Sequence, residues 1–127
     1  MTRRATAGWT LVEVLIVLVI LGLLATIAIP KFSSSRDRAL LTAMKSDLRN
    51  LATQQEAWLA DSGRYTDSLP PSVWRTSSGV TGPTIALTAD GWTAWVGHIS
   101  TTRTCAIFVG TTPLPPATKE GNPACTP

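Results

Sequence analysis

The chain has 127 residues, a formal net charge of +3 and a pI near 9.3. Its basic residues are scattered rather than clustered among aromatics, so the charge does not point to nucleic acid. No Gly-rich phosphate loop, CxxC pair or Ser–His–Asp pattern occurs in recognisable context, and the residues assign no enzyme activity, metal or cofactor.

The first element is the most informative. Arg3 and Arg4 precede a small-residue junction at Ala7-Gly8, and from Trp9 to Ile29 the only charged residue is Glu13. As a helix, this run spans roughly 30 Å, the hydrocarbon thickness of a bilayer. It exceeds the about 7–15 apolar residues of a secretory signal, and neither Ala25-Thr26-Ile27 nor Ala28-Ile29-Pro30 is a good small-x-small cleavage site. A plain membrane anchor leaves Glu13 unexplained, since an acidic residue at mid-helix costs about 2.5–3.5 kcal/mol on insertion, less toward the interface. Arg3 and Arg4 favour a cytoplasmic N-terminus, a bias that Lys31, Arg36 and Arg38 on the far side weaken.

Beyond Pro30 the pattern becomes amphipathic. Leu40, Leu41, Met44, Leu48, Leu51, Trp58 and Leu59 recur at three- and four-residue steps, with Gln55 interrupting the stripe. Arg36, Asp37, Arg38, Lys45, Asp47, Arg49 and Glu56 are expected on solvated or subunit-facing sides. Asp61-Ser62-Gly63 offers a stop, with Gly63 suited to the position after the helix. A helix from Trp9 to about Asp61 measures about 80 Å, a rod suited to a filament spine. Gly22 and Pro30 weaken it locally and bracket a segment that bends or melts.

Residues 62–83, rich in Ser, Thr, Gly and Pro, read as a long loop anchored by Leu69 and Trp74. Three strands follow, Thr84–Thr88, Trp92–Ile99 and Arg103–Val109, with Ala89-Asp90-Gly91 as a hairpin turn. Trp92 and Trp95 then point to opposite faces, one toward the helix and one outward. His98 reads as a surface or half-buried strand residue. Asp61, Asp67 and Asp90 lack the ordered spacing of a calcium loop. Cys105 and Cys125, placed beyond the membrane, are expected to form a disulfide tying the proline-rich tail to the last strand. Closing that loop of roughly 21 residues is worth about 3 kcal/mol in the chain-entropy model.

Gly8-Trp9-Thr10-Leu11-Val12-Glu13 resembles the class III signal of type IV pilins and type II secretion pseudopilins, a likeness extending through Gly22 and Ala28-Ile29-Pro30-Lys31-Phe32. Trp9 departs from the family's usual Phe. The resemblance implies cleavage by a prepilin peptidase between Gly8 and Trp9, N-methylation of Trp9, and a Glu13 that attracts the N-terminal amine of a neighbouring subunit. Loss of Arg3 and Arg4 with the leader lowers the net charge from +3 to +1. The organisation expected is a leader at 1–8, a transmembrane and assembly helix at 9–30, an amphipathic helix at 31–62, and a β-domain at 63–127. The fold class is α+β and type IV pilin-like, a long helix on an antiparallel sheet of about three strands. The resemblance further implies a homo-oligomeric helical filament, stored as a single-pass inner-membrane subunit and built by an assembly platform there. A major pilin of an extracellular pilus is favoured because of Glu13 and the disulfide-bounded tail. The alternatives are a pseudopilin of a periplasmic pseudopilus and, further off, an adhesive or DNA-binding tip subunit.

Overall fold

A computed structural model describes residues 8–127; the expected leader therefore lies, apart from Gly8, outside the described residues. Helix α1 runs Leu11–Ser62 and includes Pro30, whose missing N–H removes one helical hydrogen bond. It passes through two compact units, one ending at Arg36 and one comprising Asp37–Pro127. Gly63 closes it: with φ at 75°, Gly63 donates its N–H to the Leu59 carbonyl at 2.8 Å, a left-handed cap that a side chain would strain.

In the second unit four strands follow, β1 (Val80–Leu87), β2 (Trp92–His98), β3 (Thr101–Val109) and β4 (Ala124–Cys125). They form one antiparallel sheet in chain order. One sheet face meets α1. Met44, Leu48 and Leu51 of the helix pack with Val80, Trp92, Ala94, Val96, Cys105 and Ile107, and Leu69 and Trp74 of the loop close the rim. Tyr65 stands edge-on to Trp92, ring centroids 6.5 Å apart. Its hydroxyl donates to Glu56 Oε1 at 2.9 Å, and burial together with that carboxylate pushes the phenol pKa up. Alternation sends Trp95 to the opposite face, 44% exposed while Trp92 is fully enclosed. On that face the tail covers β3, with Leu114, Ala117 and Ala124 over Ala106 and Phe108.

The structure differs from expectation in four places. The sheet has a fourth strand, only two residues long and set among prolines, too short and too proline-flanked for any periodicity to reveal. Its pairing, Cys105 with Cys125 and Ala106 with Ala124, coincides with the disulfide. β1 starts at Val80 rather than Thr84, because an irregularity between Thr81 and Thr84 absorbs Gly82 and Pro83 without ending the pairing. β3 starts at Thr101 rather than Arg103, which shortens the second hairpin turn to Ile99-Ser100.

The fourth difference concerns the charged residues of α1. Asp47 does not sit on a solvated face; it is 3% exposed and lies among Met44, Leu48 and Leu51. Its Oδ2 accepts the Ser77 N–H and its Oδ1 the Ser77 hydroxyl, both at 2.7 Å. Gln55, also fully enclosed, donates its amide to the Thr66 carbonyl at 2.6 Å and accepts the Thr66 N–H at 3.1 Å. Both polar groups are hydrogen-bonded, as burial requires. They clamp the two ends of the segment from Thr66 to Ser77 against the helix.

At one end of the sheet, Asp90 accepts the Thr111 N–H at 2.8 Å and sits beside the Thr88 hydroxyl. A Cβ on neighbouring Gly91 would collide with the Val109 carbonyl, so the turn admits only glycine there. Hydrogen bonds from Thr111, with a smaller one from Thr88, hold the Asp90 carboxyl below its ordinary range. A lowered folded-state pKa contributes stability above the unfolded value of about 3.9, and that contribution is lost as pH falls through the folded value. Asp90→Ala should melt below the unaltered chain at neutral pH, the gap shrinking as pH drops below about 4. Asp47→Ala should cost about 1–3 kcal/mol in chemical unfolding, because it removes both hydrogen bonds from Ser77 to a charged acceptor. Hydrogen exchange at Ser77 should quicken accordingly.

Candidate functional site

The chemistry-bearing residues gather at the start of α1. Gly8 and Trp9 precede the helix and are exposed, Trp9 by 78%. Thr10 caps the helix. Its N–H and its hydroxyl both donate to Glu13 Oε2, at 2.8 and 2.9 Å, while the Glu13 N–H donates back to the Thr10 hydroxyl at 3.2 Å. The Thr10 carbonyl accepts the Val14 N–H and starts the helical ladder. This reciprocal arrangement is a capping box, in which Thr10 and Glu13 satisfy each other's backbone donors. A negative charge in the first turn also complements the helix dipole.

Sequence reasoning singled out Glu13 as a group needing an external partner and passed over Thr10. The signal was present: Thr10-Leu11-Val12-Glu13 ahead of an apolar run is the Ser/Thr-x-x-Glu pattern. The box does not exhaust the carboxylate. Among the described hydrogen bonds Oε1 accepts none, which leaves one oxygen for a second donor.

Around and beyond Glu13 the helix is apolar on every side. Leu11, Val12, Leu15, Ile16, Leu18, Leu21, Leu23 and Ile27 are all exposed, and none of the span is buried within the chain. By length and composition it suffices to cross a membrane. Gly22 and Pro30, expected to mark a weak segment, both lie inside α1; a Cβ at Gly22 would meet nothing within 4 Å, so no close contact demands glycine there. Far along the chain, Cys105 and Cys125 are joined in a disulfide. Arg103 Nε donates to the Thr126 carbonyl at 2.8 Å and holds the tail beyond the bridge. Among the described residues no group of three or more His, Cys, Asp or Glu is placed to hold a metal ion.

A long N-terminal helix, apolar at its head and packed on an antiparallel sheet further on, defines a pilin-like α+β fold. Residues 3–29 match the prokaryotic N-terminal methylation motif. The chain is similar to the type II secretion system core protein G of Pseudomonas aeruginosa, 37% identical over 65 residues, or 51% of this chain and 46% of that one. It is 40% identical over 60 residues to the type IV major pilin protein PilA of Myxococcus xanthus, covering 47% of this chain and 27% of that one. Similarity to the type IV wide pilus major component PilA4 of Thermus thermophilus is weaker, at 29%, but covers 75% of this chain and 76% of that protein. The first two matches span less than half the length of those relatives. The chain is thus similar to type IV pilins and to type II secretion core proteins, and it carries the prokaryotic N-terminal methylation motif.

Thr10→Ala removes the acceptor for the Glu13 N–H and the hydroxyl donor to its carboxylate, while the backbone N–H at position 10 still donates. The helix start should lose about 1 kcal/mol. In micelles, amide exchange at Glu13 and Val14 should accelerate severalfold while the second unit is unchanged.

Proposed function

We propose that the protein is a structural filament subunit, most simply the major pilin of a type IV pilus. The observation that carries this reading is the N-terminal half of α1: an apolar surface exposed on all sides, headed by one carboxylate and preceded by Gly8-Trp9 within the methylation motif. Such a surface is stable in two settings, the bilayer before assembly and a bundle of identical helices after it.

In this reading a prepilin peptidase cuts between Gly8 and Trp9, and the new amino group of Trp9 is methylated. Residues 9–30 hold the subunit in the inner membrane, residues 31–62 continue the helix, and residues 63–127 form the part displayed on the filament. Assembly from the platform brings the Trp9 amine of one subunit to Glu13 of another. The capping box keeps the carboxylate hydrogen-bonded through Oε2 meanwhile, and Oε1 supplies the acceptor for the incoming amine. A charged pair in a low-dielectric bundle is far stronger than in water, and either charge alone there is costly, so the pair sets register between subunits. A bend or partial melting between Gly22 and Pro30 on leaving the membrane belongs to the same scheme. The extracellular filament would serve adhesion, motility or DNA uptake.

Similarity to core protein G supports a second reading, a pseudopilin of a periplasmic pseudopilus. The Cys105–Cys125 bridge, closing a pilin-like C-terminal loop, favours the first. Shearing filaments from cells and sequencing their subunits separates the two. A major pilin gives abundant chain beginning at methylated Trp9 in the sheared fraction; a pseudopilin is absent from it, and its deletion blocks secretion. Glu13→Ala should insert into the membrane normally yet yield few or no filaments, and filaments at normal yield from that variant would remove the proposed role of the carboxylate.

A further inference from the structure

The segment from Thr66 to Ser77 is held at both ends by buried side chains of α1, Gln55 at Thr66 and Asp47 at Ser77. Between the clamps it turns at Pro70, whose carbonyl accepts the N–H groups of Val73 and Trp74. The fixed segment and β1 border an open surface pocket of about 470 Å³, a volume within the roughly 300–1,000 Å³ range of small-molecule sites. Lying wholly in the second unit, it shares no residue with the N-terminal site.

Its lining is specific in character. Asp67 and Arg75 supply one charge of each sign, Ser68 and Thr76 supply hydroxyls, and Trp74 and Pro83 supply apolar ring surface. Arg75 is preset: its Nε–H donates to the Pro71 carbonyl at 2.9 Å, which fixes the guanidinium plane. Among the described hydrogen bonds its remaining donors are uncommitted, as are the Asp67 carboxylate and the Ser68 and Thr76 hydroxyls. An anionic ligand meets Asp67 with repulsion and a cationic one meets Arg75 in the same way. The lining therefore selects a ligand without net charge that presents both donors and acceptors, together with an apolar face for the indole. A pyranose ring has these properties, with hydroxyls at its rim and C–H groups on its faces.

We propose that this pocket binds a neutral saccharide of one or two rings. Trp74 stacks on the sugar face, Arg75 and Asp67 hydrogen-bond its hydroxyls, and the clamps at Gln55 and Asp47 preform the site so that little ordering is needed on binding. The proposal is independent of the filament reading and stands for pilin and pseudopilin alike.

The test uses the full chain in lauryldimethylamine oxide micelles, since detergents with sugar head groups would compete. Saturation-transfer difference NMR is recorded with cellobiose, maltose and N,N′-diacetylchitobiose as probes, and with inorganic phosphate and an acidic peptide as charged comparators. At least one neutral disaccharide should receive saturation. Arg75→Gln, at an exposed position, should weaken its binding about fivefold or more, by loss of preset donors. Trp74→Phe should weaken it about twofold or more while still filling its place at the rim of the core. Thermal melts should show both variants folded; should Trp74→Phe not fold, Arg75→Gln alone decides. Saturation of none of the sugars, equal saturation in Arg75→Gln, or a response confined to phosphate or the acidic peptide overturns the proposal.

Discussion

The exposed apolar surface of the first half of α1 cannot rest in water. At about 25 cal/mol per Å² of apolar surface, the penalty for wetting a helix of this length on all sides exceeds what a small domain's fold can offset. Every setting that relieves it is apolar, whether lipid or helix bundle, and the two are nearly equivalent as solvents for Leu, Ile and Val. Hydrophobicity alone therefore does not choose between storage and assembly. In the proposed filament that choice would fall to close packing and to Glu13, the one charged group from Trp9 to Ile29. The geometry of Glu13, with one oxygen engaged by Thr10 and the other open, matters more than its small size suggests.

The second half of the same helix obeys different rules. It has a core to serve, and it buries two polar side chains as well as leucines. Asp47 and Gln55 fall on the face of Met44, Leu48 and Leu51, and each ends in a backbone group of the connecting loop. A long Ser- and Pro-rich connection has little apolar surface with which to hold itself down. Here its position is set by two side chains projecting from the helix, with Leu69 and Trp74 filling the space between. The opposite sheet face is treated more economically: the tail covers β3, and Trp95 stays half-open beyond its edge.

Much of this was legible in the residue pattern, because the strongest signals were long. A run of uncharged residues, a heptad-like stripe, three β-rich segments and an Asp-Gly turn each report over several residues. The exits that mattered were short or ambiguous. Asp47 and Gln55 have core-face spacing, but a charged or amide side chain at such a position is ordinarily read as an interruption; only the Ser77 and Thr66 backbone groups across the loop explain them, and these lie 30 and 11 residues away. β4 has two residues and no period at all. The Thr10–Glu13 box was readable from local spacing, yet a membrane-length apolar run drew the reading toward an intermolecular partner. The pocket beside Trp74 was beyond any sequence pattern, since its two walls meet only when the loop is clamped.

Cys105 belongs to the enclosed core between sheet and helix and is fully shielded from solvent, while its partner Cys125 lies at the last strand pairing. The two ends of the bridge are therefore unequal: Cys125 is only partly buried, so an attacking thiolate reaches the bridge through that sulfur. Such an attack expels Cys105 as the leaving thiolate into apolar surroundings, which disfavour its charge and make it a poor leaving group. The direction from which the bridge can be opened is the one in which opening it is slowest.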